Sequence, residues 1–130
     1  MTNTRTESEK ALHRAADALE NAEYNLKGSY TLAAANRSYY ACYYCMSALL
    51  YTKNVYAKTH QGTKSKFTEI FIKDLKAFPP ELSEDLTTLF DYRQEADYDL
   101  DADISLDEAR NILQKASEFY MKSKTYLQSL

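Results

Sequence analysis

The chain has 130 residues, with 16 basic and 19 acidic side chains and a net charge of -3. That is one domain's length, enough to build a core without disulfide or metal staples. Only two glycines and two prolines are present, too few for a fold of many strands and tight turns, and the acidic balance excludes a protein that attracts nucleic acid with its whole surface.

Thr6-x-x-Glu9 reads as a capping box that opens a first helix. Leu12, Ala15, Ala16, Leu19, Ala22 and Leu26 recur at helical spacing behind it, and Gly28 is placed to end it. His13 falls one position off that stripe and is expected to face solvent. Ser29 can cap the next helix, so the connection is short and the first two helices should run antiparallel.

The stretch from Ser29 to Lys53 contains no Gly, no Pro and no acid and is apolar almost all the way round. It predicts a helix buried on most of its circumference, the central rod of a bundle. Ala33, Ala34, Ala35, Ala41 and Ala48 allow close approach, while Tyr39, Tyr40, Tyr43, Tyr44 and Tyr51 fill volume and keep hydroxyls for partners. Asn36, Tyr40, Tyr43 and Ser47 follow one another at helical spacing and draw a polar seam along the rod. Arg37 beside that seam must find a partner or reach water, and a site is expected where the seam meets another helix. Cys42 and Cys45, a lone C-x-x-C inside a helix, read as two small buried residues rather than a metal or redox pair.

After Tyr51 comes a polar loop, NVYAKTHQG, holding His60 and Gly62. A third helix is predicted from about Thr63, with Phe67, Ile70, Phe71 and Leu75 as its apolar face. Pro79-Pro80 ends it and seeds a fourth from about Glu81, burying Leu82, Leu86, Leu89 and Phe90 and reaching Arg93 and Asp97. Asp99 to Asp103 is an acidic connection. Ser105-x-x-Glu108 is a second capping box, opening a last helix with Ala109, Ile112, Leu113, Ala116, Phe119 and Leu127 inward. The expected fold is all-α: an up-and-down antiparallel bundle of four long helices plus one short helix, a single domain over residues 1–130. The N-terminus shows no signal-peptide pattern, and Asn36 and Arg37 interrupt the one long apolar segment. A cytoplasmic protein is therefore expected, with neither membrane nor DNA as a partner.

Charge is distributed unevenly. From Lys53 to Lys76 six lysines face two acids, a balance of +4, whereas Glu81 to Glu108 holds eleven acids and only Arg93, a balance of -10. The first segment could meet phosphate and the second would repel it or hold a cation. Asp97 to Glu108, DYDLDADISLDE, matches a twelve-residue EF-hand loop at several ligand positions, but Ala102 stands where that loop needs glycine, at a cost of about 1 kcal/mol. A solvated acidic loop is the preferred reading, with no metal assigned. A di-metal carboxylate bundle is excluded because neither His13 nor His60 follows a Glu by three positions.

Arg93 and Asp97 stand i,i+4 on one helix face, continuing the line of Leu82, Leu86, Leu89 and Phe90. An exposed pair of this kind is worth only a few tenths of a kcal/mol, but an Arg approaching the core face needs stronger satisfaction and can be oriented for a task. The segments NRSYYACYYCMSALL, KTHQG and RQEADYD together resemble the HEPN family, small domains of four to five helices, over nearly the whole chain. The likeness is to its stand-alone bacterial and archaeal branch, often encoded beside a minimal nucleotidyltransferase.

The resemblance implies a homodimer and a toxin-like role in a toxin–antitoxin or defence pair, with RNA or nucleotide as ligand and no cofactor. In the family's ribonucleases an Arg is followed after four to six residues by a His, and the two act on an RNA phosphate without metal. Here the Arg is Arg93, but the following positions hold Asp97, Tyr98 and Asp99. The candidate catalytic residues are thus Arg93, Asp97, Tyr98 and, from the separate basic loop, His60. Asn36, Arg37 and Tyr40 on the facing helix are the candidate binding residues. In such pairs the nucleotidyltransferase can silence the toxin by adding AMP to a Tyr near the Arg motif, which Tyr98 approximately matches. The alternative is a non-catalytic helper that dimerises, binds nucleotide or substrate between Arg37 and Arg93, and serves a nucleotidyltransferase.

Overall fold

A computed structural model describes residues 4–130, with the side chains of residues 4, 5 and 96 left aside. The fold is the expected all-α bundle: α1 (Thr4–Lys27), α2 (Thr31–Tyr51), a short α3 (His60–Phe67), α4 (Glu81–Tyr98) and α5 (Leu106–Gln128). No strand is present among the described residues. α2 is the rod its composition predicts, packing against α1, α3, α4 and α5 alike. Ala34, Ala41, Cys45, Ala48 and Leu49 on it are sealed from solvent. α1 and α2 make the most extensive helix contact, and both contribute fully buried alanines, Ala15 and Ala22 from α1 and Ala34, Ala41 and Ala48 from α2. The Ser8 hydroxyl donates to the Ala48 carbonyl at 2.7 Å, which fixes the start of α1 beside the end of α2 and makes the two antiparallel.

Several boundaries differ from the sequence expectation. α1 has already begun by Thr4, so Thr6 lies within the helix rather than capping it. α2 begins at Thr31, and its N-cap is Tyr30, without a side-chain cap. Ser29 does not cap it. Instead Ser29 takes the left-handed conformation, φ 64°, and closes α1: Ser29 N–H donates to Leu26 and Tyr30 N–H to Asn25, the bonding of a Schellman end. Gly28 is needed for another reason, since a Cβ there would lie 2.7 Å from the Tyr30 ring.

α3 starts three residues earlier than predicted, because Thr59 accepts from Gly62 N–H and caps it. His60 is therefore the first residue of a helix and not part of a loop. From Thr68 to Asp74 the winding loosens into a π-helix, with Leu75 N–H bonding five residues back to Ile70. That rotation turns Leu75, placed inward by a regular period, out to 46% exposure. Phe67, Phe71 and Phe78 instead close on Phe119 of α5.

The second capping box forms in part. Ser105 accepts from Glu108 N–H, while the Glu108 carboxylate accepts from the Ser105 hydroxyl and from the Tyr92 hydroxyl of α4 at 2.9 Å. Lys115 and Asp85 make a second link between α4 and α5, also 2.9 Å. Cys42 and Cys45 are buried free thiols. His13 is 78% exposed beside Asp17. No helix among the described residues is long and apolar enough to cross a membrane.

Candidate functional site

The polar seam of α2 meets α4 and the first turn of α3, and there the chain gathers its functional side chains. Arg93 projects from α4 toward α2 and is only 18% exposed. Its Nε lies 3.0 Å from Asp97 Oδ2. That contact is ionic and not an aligned hydrogen bond, because the buried Nε has no hydrogen-bond partner among the described residues. Nη2 donates to the Tyr40 hydroxyl over a long 3.4 Å, and the guanidinium sits 5.7 Å from the Tyr39 ring and 6.0 Å from the Tyr40 ring. Aromatic faces of this kind hold a cation through the ring quadrupole while leaving its N–H groups free.

On the other side of Tyr40 stands Arg37, its guanidinium carbon 4.8 Å from the ring centroid. Asn36 Oδ1 holds it by accepting from Nε at 3.2 Å and Nη2 at 3.0 Å. One phenol ring therefore bridges two guanidinium groups. Asn36, Arg37 and Tyr40 from one segment and Arg93 and Asp97 from another are contiguous.

His60 joins them. Because α3 begins at this residue, the imidazole reaches back over α2: Nδ1 is 2.6 Å from the Tyr39 hydroxyl, and the ring stacks on Tyr43 at 4.3 Å with 15° between planes. Tyr40 meets it edge-on at 5.5 Å. Burial lowers the His60 pKa below its ordinary 6.5, and the nearby Arg93 charge lowers it further. The imidazole is thus neutral at pH 7, and its two nitrogens divide the work. If Nδ1–H donates to the Tyr39 oxygen, Nε2 offers a free lone pair; if Tyr39 donates, Nε2 carries the proton. Burial holds the Tyr39 phenol well above its ordinary value, so it remains a protonated hydroxyl.

Tyr98 is not part of this gathering. It ends α4 with its ring 77% exposed and has no hydrogen-bond partner among the described residues. The EF-hand match is divided among other duties: Asp97 pairs with Arg93, Asp99 accepts from Asp101 N–H, and Glu108 serves Ser105 and Tyr92. Among the described residues no three His, Cys, Asp or Glu side chains converge as a metal site requires.

Tyr39 and Tyr43 are further members of this cluster that were not among the candidate site residues. Tyr43 does lie in the polar seam along which a site was expected. Tyr39 is buried and sits off the seam, and only the position of His60 reveals its use.

The fold and site define a small all-α bundle that brings an arginine, an imidazole and several tyrosine rings together between its helices. Residues 8–126 match the HEPN domain family, and the chain belongs to it. It is 37% identical over 121 residues to a Methanocaldococcus jannaschii protein named "Putative toxin", covering 93% of this chain and 82% of that one. A Thermotoga maritima protein named "UPF0332 protein" is 31% identical over 106 residues, covering 82% and 80% respectively.

Proposed function

We propose that this HEPN protein is toxin-like and acts as a metal-independent endoribonuclease, with His60 taking the place of the histidine that the segment after Arg93 lacks. The observation that carries this reading is the arrival of a neutral imidazole from α3 within electrostatic reach of Arg93, both held on the Tyr39–Tyr40 pair. The name of the archaeal relative supports the toxin-like part.

The chemistry then follows from charge. Arg93, with Arg37 across Tyr40, neutralises the oxygens of a scissile phosphate. His60, its Nδ1–H donated to Tyr39, takes the proton of the ribose 2′-hydroxyl on Nε2. The 2′-oxygen bonds phosphorus as the bond to the 5′-oxygen breaks. The departing 5′-oxygen takes a proton from water, and the His60 imidazolium gives its proton back to solvent, which restores the neutral base. The products are a 2′,3′-cyclic phosphate and a 5′-hydroxyl end. Asp97 orients Arg93 and leaves its Nη groups to the substrate.

The test is cleavage of a fluorophore–quencher single-stranded RNA by purified protein in EDTA. Wild type should cut, and Arg93→Ala and His60→Ala should each lose about 100-fold or more, as loss of a general base or phosphate anchor does. Far-UV circular dichroism should show unchanged helicity. Undiminished cleavage by His60→Ala would remove the imidazole from the mechanism. A second reading, the non-catalytic helper, draws on the ion pair that already neutralises Arg93. It gains if wild type cuts no RNA and instead binds ATP in a manner lost with Arg93→Ala.

A further inference from the structure

Beyond the reaction centre, the seam between α1 and α2 opens into a groove. One depression of about 370 Å³ is lined by Lys10, Arg14, Tyr43, Tyr44, Tyr51 and Tyr56. A second, of about 210 Å³, adds Arg37 and Asp17 and shares Arg14 and Tyr44 with the first, so the two are continuous. The pattern behind it is helical. Arg37, Tyr40 and Tyr44 lie at successive turns of α2 with Tyr51 two turns further on the same face, and Lys10 and Arg14 lie one turn apart on the antiparallel α1. From Arg37 to Tyr51 the track runs about 21 Å along α2.

Its chemistry alternates cations with ring faces. Tyr43 and Tyr44 are neighbours with centroids 5.7 Å apart, and Tyr51 stacks on Tyr56 at 5.1 Å. Among the described residues no carboxylate lies within ion-pair distance of Lys10, Arg14 or Arg37. Two acids also line the groove, Glu7 beside the Tyr56 hydroxyl and Asp17 at 3.6 Å from His13, against the three cations Lys10, Arg14 and Arg37, so cations outnumber acids along it. Lys53 and Lys58, both exposed, flank the Tyr51–Tyr56 end. Tyr43, in the wall of the groove, carries His60 on its face, so the groove adjoins the reaction centre.

Resting on the ribonuclease reading above, we propose that this groove is a binding track for single-stranded RNA, holding the nucleotides that flank the cleaved bond. Unpaired bases stack on tyrosine faces whatever their sequence, and lysine or arginine follows the backbone beside them. A duplex hides the base faces that the tyrosines need. A second copy of this chain is a poorer occupant, because a two-fold contact centred on the groove would set Arg14 and Arg37 near their own counterparts.

Fluorescence anisotropy with a short labelled oligouridylate tests the proposal, with the same length of duplex RNA and free UMP as comparison probes. Wild type should bind the single strand most tightly. Tyr44→Ala should weaken binding about ten-fold or more through lost stacking. The double change Lys10→Gln with Arg14→Gln should flatten the slope of log affinity against log salt by about two. Arg93→Ala should abolish cleavage yet keep most of the oligouridylate binding, which separates failure of the groove from failure of the reaction centre. Wild-type affinity in both groove variants would overturn the proposal, as would equal or tighter binding of duplex. Variants that instead change the sedimenting mass and leave RNA binding intact would make the groove a subunit contact, and overturn it equally.

Discussion

Protonating His60 means adding a positive charge to a half-buried ring cluster that already holds Arg93, which is why its pKa falls below 6.5. Burial is the larger cause and the guanidinium the smaller, so Arg93→Ala should raise the value without restoring it fully to 6.5. A proton NMR titration of the imidazole checks this, and a wild-type value at or above 6.5 would contradict the packing described. The sign of the linkage is fixed. An unfolded chain takes up this proton near 6.5 and the folded one only at lower pH, so the stability tied to a neutral His60 is full above 6.5 and is lost as pH falls through the folded value. His60→Gln should therefore flatten the acid side of a plot of Tm against pH relative to wild type. By the same logic cleavage should persist into mildly acid solution, where an unperturbed imidazole would already be charged. None of this could be read from residue spacing. Tyr39, His60 and Arg93 are far apart in the chain, and the turn that begins α3 decides whether they meet.

Helix by helix, the apolar periods of α1, α2, α4 and α5 were plain in the sequence, because each buries one regular stripe or, for α2, nearly its whole girth. α3 was not. Thr59 and Gly62 form a cap whose composition, polar and flanked by lysines, is also that of a loop, and the wider winding after Phe67 breaks the period that placed Leu75 inside. The four main helices also differ in how firmly they are held. α2 touches all its neighbours, but α4 leans chiefly on α2 and, among its described side chains, only Leu86 and Leu89 are fully buried. Its links to α5, Tyr92–Glu108 and Lys115–Asp85, lie at the exposed surface, where such contacts contribute little. Amide hydrogen exchange should accordingly be faster in α4 than in α2 under native conditions. Equal protection in both would show that α4 opens only with the whole fold. Since α4 carries Arg93, the less secured helix is also the one that presents the arginine proposed to hold phosphate.

For the molecule as a whole, charge and exposure divide the surface. The lysine-rich segment of residues 53–76 borders the tyrosine groove, whereas the acids of residues 81–108 crowd α4 and its connection to α5. At that end Tyr98 and Leu100 stand almost entirely in solvent, close in sequence to Arg93 and Asp97. A second copy covering them would join two reaction centres and exclude water from both. Sedimentation at micromolar concentration should give about twice the 15.0 kDa chain mass, and Leu100→Asp should return it to that of one chain. A monomeric wild type would mean that no second copy covers Tyr98 and Leu100 and that each reaction centre stands alone. The fold class was legible in the sequence, and so was the meeting of the α2 seam with Arg93. The arrival of His60 was not, because it depends on where α3 begins.

The two cysteines of α2 carry a consequence of their own. Burial raises the Cys42 thiol well above its usual range and Cys45 to about 12, and both are sealed against α2's neighbours. A thiol that is neither ionised nor reachable does not react with an alkylating reagent. Each becomes reactive only when the rod leaves its sheath, so the pair forms a built-in clock: the rate at which the native protein consumes iodoacetamide is the rate at which its centre comes apart, and a ligand that grips the bundle slows that clock without touching sulfur.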